Sequence, residues 1–215
     1  MKKDIAIIGL GTFGFELAIQ LSKAGHSILA IDINEKKVNA IKDYVEMAIV
    51  VDITDEDVLK KIEINKFDKV IFGLSSDLES IILAITHMKK LGVKHIIGKA
   101  NNRIKKEILL KIGADEVNLP EIAAAINLAE KISYPSVLDK FRIDYNTSLI
   151  EVKLPDKFVG KSLKELNLRK KYGLNVVMRK NKKETEIITN PDIVFDENDV
   201  LFIIGDESRF KELYK

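Results

Sequence analysis

Strand and helix signals alternate over the first two-thirds of the chain, which predicts a Rossmann-like, doubly wound parallel α/β sheet. A small α+β domain is predicted to follow it. Three observations carry this reading. Six apolar strand signals are separated by five helix signals. A glycine-rich turn joins the first strand to the first helix. After about residue 138 the pattern changes to short strands, a hairpin and brief helical stretches.

Residues 5–8, Ile-Ala-Ile-Ile, form a short continuous apolar run, as expected of a strand buried on both faces. Residues 15–23 read as a helix closed by Ala24-Gly25, and 27–31 as a second strand. Asn34 is placed to cap a helix over 35–44. A strand at 47–51, a helix at 55–62, a strand at 69–72 and a helix at 78–90 follow. A strand at 94–97, a helix to 111 and a short strand at 116–119 complete the series. Pro120 opens a crossover helix over 121–132, whose stripe of Ile122, Ala125, Ile126 and Ala129 must bury against its own domain or a second subunit. In the last part, 149–154 is strand-like and Ser162 and Glu165 have capping-box spacing. Residues 175–179 and 186–189 suit a hairpin, 199–204 a last strand and 207–214 a closing helix. The boundary falls near Asp139, giving domains 1–138 and 139–215.

The bulk numbers narrow the function classes. With 35 basic and 33 acidic residues the net charge is +2, a balance that gives no electrostatic case for nucleic acid. The absence of cysteine excludes disulfides, thiolate metal sites and a cysteine nucleophile. The start, Met1-Lys2-Lys3-Asp4 before an apolar run, mimics a signal peptide, but Gly9 and Gly11 interrupt it at once, so a buried strand is the better reading. No apolar run reaches the roughly 20 residues needed to span a bilayer.

The chemistry-bearing motif is Gly9-Leu10-Gly11-Thr12-Phe13-Gly14, a G-x-G-x-x-G between a predicted strand and a predicted helix. Gly9 permits the tight turn, Gly11 lets a pyrophosphate approach the backbone, and Gly14 lets helix and strand pack closely. The helix N-terminus offers N–H groups and a positive dipole end to phosphates. Asp32 ends the second strand about 20 residues downstream, where a ribose-binding acid belongs. Its charge disfavours a 2′-phosphate and hence NADP. The competing reading, a purely structural turn with Asp32 as a cap, is weaker because strand, glycines, helix and acid fall in register. The motif reads adenosine plus phosphates and is common to ATP, ADP and NAD.

Further polar residues gather at carboxyl ends of strands, where open α/β sheets bind ligands. They are Asp52 and Thr54, then Ser75, Ser76 and Asp77, then Lys99 and Glu121. Asp55, Asp77 and Glu121 read equally well as ligand contacts or as helix caps and first-turn acids. Lys99 is suited to a phosphate. A dehydrogenase needs an acid/base group beside the hydride acceptor. His26 and His95 stand at the amino ends of strands and His87 is mid-helix, so no catalytic residue is assigned. Motifs of serine hydrolases, zincins and P-loop enzymes are absent.

The run Ile7-Ile8-Gly9-Leu10-Gly11-Thr12-Phe13-Gly14 resembles the opening of the RCK domain (regulator of K⁺ conductance, or TrkA-N). The blocks Ala30-Ile31-Asp32-Ile33-Asn34, Val51-Asp52-Ile53-Thr54-Asp55, Ile97-Gly98-Lys99-Ala100 and Leu119-Pro120-Glu121 continue it. Three later blocks are similar to the companion TrkA-C domain: Phe158-Val159-Gly160-Lys161-Ser162-Leu163, Leu168-Arg169-Lys170-Lys171-Tyr172-Gly173 and Asp199-Val200-Leu201-Phe202-Ile203-Ile204-Gly205. The resemblance covers essentially the whole chain, in order, and is greatest to Ktr-type subunits of Trk/Ktr potassium uptake systems.

The resemblance implies a cytoplasmic regulatory subunit, peripheral to the inner face of the membrane, that gates an integral-membrane potassium channel or transporter. It implies homodimers through the crossover helix, assembled into octameric rings whose shape responds to ATP and ADP. It assigns Gly9, Gly11, Phe13 and Gly14 to the phosphates, with Thr12 among them, and Asp32 and Asn34 to the ribose. Asp52 and Ile53 border the adenine, Gly73, Leu74 and Ser75 line the pocket, and Lys99 and Glu121 close it. Glu121 is also implied in holding a cation near the phosphates. In the C-terminal domain, cyclic di-AMP is implied at Leu168, Arg169, Asn175, Val176 and Pro191, with Arg169 as phosphate partner. Two departures stand out. Thr12 occupies a position where Ktr-type proteins usually carry an Arg that reaches a terminal phosphate across the dimer; its loss weakens the case for ATP-over-ADP discrimination and favours NAD(H) or another nucleotide. Ser75 stands where relatives often have Gly. The alternatives are an NAD-dependent oxidoreductase and an RCK-like regulator of another cation exchanger.

Overall fold

A computed structural model describes residues 2–133, 136–182 and 184–214. The chain divides into two compact units, 1–125 and 126–215.

In the first unit the strands are β1 (Asp4–Ile8), β2 (Ser27–Asp32), β3 (Met47–Val50), β4 (Lys69–Phe72), β5 (Ile96–Lys99) and β6 (Glu116–Asn118). They form one parallel sheet in the order β3-β2-β1-β4-β5-β6. Helices α1 (Thr12–Lys23), α2 (Glu35–Ile41), α3 (Glu56–Lys61), α4 (Leu78–Lys90) and α5 (Arg103–Ile112) connect them. The period of two along a strand sorts the core into two layers. Ala6, Ile8, Leu29, Ile31, Val70 and Phe72 face one layer, built with Leu59, Ile81, Ile85, Met88 and Leu109 of α3, α4 and α5. Ile5, Ile7, Ile28, Ala30 and Ile71 face the other, built with Ala18, Val38 and Ile41 of α1 and α2. The strand order reverses at β1, between β2 and β4, which opens a crevice at their carboxyl ends.

In the first unit four helices start at side-chain caps: Asn34 on α2, Asp55 on α3, Asp77 on α4 and Asn102 on α5. Asp55 and Asp77 both accept backbone N–H bonds as caps, and Asp77 also lines the cleft at the strand ends. Helix α1 differs, since Gly11 precedes it and no side chain caps it.

Helix α6 (Pro120–Ser133) spans the division between the units and buries none of its described residues in the single chain. The second unit is an antiparallel sheet of β7 (Val137–Arg142), β8 (Thr147–Lys153), β9 (Asn175–Lys180), β10 (Thr185–Ile187) and β11 (Val200–Asp206), in the order β10-β9-β11-β8-β7. Its core joins Ile150, Val152, Leu201 and Ile203 from the sheet with Leu166, Leu168, Phe195, Phe210 and Leu213. Helices α7 (Leu163–Leu166) and α8 (Leu168–Tyr172) meet at Asn167, whose φ of 48° turns the chain between them. Ser162 and Glu165 form the capping box of α7. The sequence reading had no strand at 137–142. Its boundary at 138/139 falls inside β7, because the edge strand pairs with β8 through a bulge at Val137/Asp139.

Candidate functional site

The turn after β1 is shaped by glycine. Gly9 has φ +91°, a conformation costly for other residues. A Cβ on Gly14 would lie 2.0 Å from the Gly9 carbonyl oxygen, and one on Gly73 would lie 2.4 Å from the same atom. So β1, α1 and the end of β4 touch backbone to backbone. Gly11 is different: a Cβ there would meet nothing within 4 Å. Its missing side chain leaves open space in front of the uncapped α1 N-terminus, the arrangement a phosphate group requires.

Asp32, 7% exposed, ties this turn to β2. Its Oδ2 accepts the Leu10 N–H at 2.7 Å and its Oδ1 accepts the Asn34 N–H at 2.8 Å. Lys37 of α2 reaches Oδ2 at 3.2 Å. Burial pushes the carboxyl up, but the Asn34 and Leu10 N–H groups and Lys37 outweigh it and hold Asp32 below its ordinary value.

A cleft of about 450 Å³ runs over these strand ends. Of the expected residues, Gly9, Gly11, Asp32, Asp52, Ile53, Gly73, Leu74, Ser75 and Lys99 line it. A second cleft of about 650 Å³, also lined by Gly11, Gly73 and Lys99, adds Thr12, Phe13 and Glu121. Two expected residues do other work. Asn34 spends its side-chain oxygen on the Lys36 N–H as the α2 cap. Gly14 is buried beneath the turn, where it allows the close packing. Lys37 lines the first cleft and was not expected. Its only signal was a position five residues after the acid, in the first turns of the next helix.

Lys99 is 9% exposed, with its Nζ 2.6 Å from Glu121 and 5.5 Å from the Phe13 ring centroid. The Lys99 ammonium holds Glu121 below the usual carboxylate range, against opposing burial. The donor set does not fit a resident cation. Glu121 is already paired with Lys99, and Glu16 is the other carboxylate lining this cleft. No group of three or more His, Cys, Asp or Glu suited to a metal occurs among the described residues.

The histidines lie elsewhere. His26 Nδ1 accepts the Lys3 N–H, His95 pairs with Glu116 at 2.8 Å, and His87 lies 4.0 Å from Glu56. In the second unit, Leu168 and Val176 are buried in the core, while Arg169, Asn175 and Pro191 are exposed and the Pro191 carbonyl accepts the Lys164 N–H. No helix of the described residues is long and apolar enough to cross a membrane.

Family models match the chain twice: a TrkA-N domain over residues 5–120 and a TrkA-C domain over 148–215. The chain is similar to the Ktr system potassium uptake protein C of Bacillus subtilis (strain 168), at 37% identity over 215 residues, covering 99% of this chain and 97% of that protein. It is 32% identical to the Ktr system potassium uptake protein A of the same organism over 210 residues, covering 98% and 95%. Among solved structures, a GsuK channel bound to NAD matches with a TM-score of 0.65 and 18% identity. That match covers 99% of this chain and 39% of the channel chain, a likeness of fold.

Proposed function

The chain belongs to the family whose members join a TrkA-N to a TrkA-C domain, and on that footing we propose that it is a nucleotide-binding regulatory subunit gating a separate membrane potassium transporter. The cleft over β1, β2 and β4 carries this reading. It combines open space at Gly11, an acid at Asp32 in the ribose position and a buried cation at Lys99. None of the three histidines is among its lining residues. The site holds a nucleotide without a group placed to transform it, and this separates a sensor from an oxidoreductase.

In this proposal the protein works in the cytoplasm against the inner face of the membrane, as homodimers assembled in an octameric ring. Helix α6 is the dimer element. An adenine nucleotide shifts the ring only to the extent that it binds one shape more tightly than the other. Thr12 offers no charge to a terminal phosphate, so ATP and ADP bind with similar affinity and NAD(H) competes with both. The C-terminal unit takes cyclic di-AMP as a second signal, with exposed Arg169 toward its phosphates.

The test is titration of the full chain with ATP, ADP, NAD⁺, NADH and cyclic di-AMP by calorimetry. Saturable adenine-nucleotide binding, weakened at least about tenfold by Asp32→Ala, supports the reading, a loss of about 1.4 kcal/mol. Absence of binding by every one of them sinks it. Turnover of NADH with a candidate substrate would favour the oxidoreductase.

A further inference from the structure

We infer that Lys37 makes the ribose end of the cleft a reader of phosphorylated riboses, accepting an adenine dinucleotide with a 2′-phosphate as well as one without. This rests on the nucleotide-binding reading of the same cleft. The argument from Asp32 against a 2′-phosphate holds for an unpartnered carboxylate. Here the carboxylate is partnered. A carboxylate offers about four acceptor positions, two on each oxygen. Oδ2 is filled by the Leu10 N–H at 2.7 Å and the Lys37 ammonium at 3.2 Å. Oδ1 holds the Asn34 N–H at 2.8 Å and keeps one position. A ribose diol seeking two acceptors therefore finds one, and the neighbouring group is a donor.

That donor is placed to serve. The Lys37 side chain is 45% exposed, lines the cleft, and spends one of its three N–H bonds on Asp32. The Asp32–Lys37 pair leaves the ribose end neutral where an isolated acid would leave it negative. The other acids of the cleft are engaged locally. Asp52 Oδ1 accepts the N–H and hydroxyl of Thr54, and Asp77 accepts those of Ser80. The 2′-hydroxyl, or a phosphate on it, then meets an ammonium, while the 3′-hydroxyl takes the free position on Asp32. A charge-assisted bond to phosphate is the stronger of the two contacts Lys37 can make.

The experiment titrates the wild-type chain and Lys37→Ala with NADH and NADPH. The wild type is expected to bind NADPH within about tenfold of NADH. Lys37→Ala is expected to weaken NADPH by about thirtyfold or more beyond whatever change it makes to NADH, the loss of one charge-assisted contact. Lys37→Arg is expected to keep both. Wild-type binding of NADH with rejection of NADPH by more than about a hundredfold overturns this inference alone. So does an equal loss of both ligands in Lys37→Ala. If the wild type binds ATP or ADP but neither dinucleotide, this inference falls and the nucleotide reading stands; if it binds no adenine nucleotide at all, both fall.

Discussion

At the scale of single residues, two of the three glycines in the motif, Gly11 and Gly14, answer to different forces. A methyl on Gly14 would press into the Gly9 carbonyl at 2.0 Å, with no flexible side chain to yield. Gly14→Ala is expected to cost about 1–3 kcal/mol or more in a urea unfolding curve, as over-packing against backbone does. Gly11 has φ −73° and ψ −178°, which any residue adopts, and open space around it. Gly11→Ala is expected to leave that curve within about 0.5 kcal/mol, the range of substitutions outside packed or strained sites. Its methyl occupies the path of a phosphate, so calorimetry is expected to find nucleotide binding lost. A Gly11→Ala chain that binds nucleotide normally would remove Gly11 from the site. The sequence made these roles legible because glycine spacing encodes backbone geometry directly. Asn34 and Lys37 were harder to read. Both are polar residues around one helix start, and only the fold shows that Asn34 turns inward on its own helix while Lys37 folds back onto Asp32.

At the scale of elements, the second unit is knit by charge at its rim. Lys140 of β7 lies 2.9 Å from Glu130 of α6 and 2.5 Å from Glu207, and Arg142 reaches Glu207 at 3.2 Å. Burial pulls the Lys140 ammonium down, but Glu207 and Glu130 outweigh it and hold its pKa above the usual lysine value. Lys140 in turn holds Glu207 below the usual carboxylate range. For Lys140, raised when folded, the stabilisation is complete below an unfolded pKa of about 10.4 and lost as pH rises through the folded value. For Glu207, depressed when folded, it is complete above about 4.3 and lost as pH falls through the folded value. Lys140→Met is therefore expected to destabilise by about 1–3 kcal/mol near pH 7, with the deficit shrinking below about pH 4. Urea curves at pH 3.5 and pH 7 check this, and an equal deficit at both would assign Lys140 a packing role. The sequence did not disclose β7, and the reason is physical. An edge strand reading Val-Leu-Asp-Lys-Phe-Arg, with a bulge and no fully buried residue, lacks the alternation that marks a half-buried strand. Helix α8 escaped for another reason, since five residues are too few for a period. The parallel strands were legible because burial on both faces makes their apolar runs continuous.

At the scale of the whole molecule, regulation requires that a ligand in one unit be felt in the other, and α6 is the element that belongs to both. Its exposed apolar residues Leu128, at 60%, and Ile132, at 70%, share one face and are the surface a second copy would cover in the proposed dimer. Leu128→Asp is expected to halve the mass seen by light scattering relative to the wild-type dimer unit, because a charge cannot be buried there without a partner. Nucleotide at about a hundred times its Kd stabilises the state that binds it by about 2.7 kcal/mol. Amide hydrogen exchange locates where that stabilisation is felt. In a simple binder, slowed exchange is confined to β1, β2, β4 and the turn after β1. In a transmitter, exchange also changes in α6 and in β8 and β11 beyond it, and Leu128→Asp abolishes the distant change while keeping the local one. Protection that stops at Ala125 in the wild-type chain would leave a nucleotide-binding domain with no coupling to its neighbour, and the gating proposal would fail on that result.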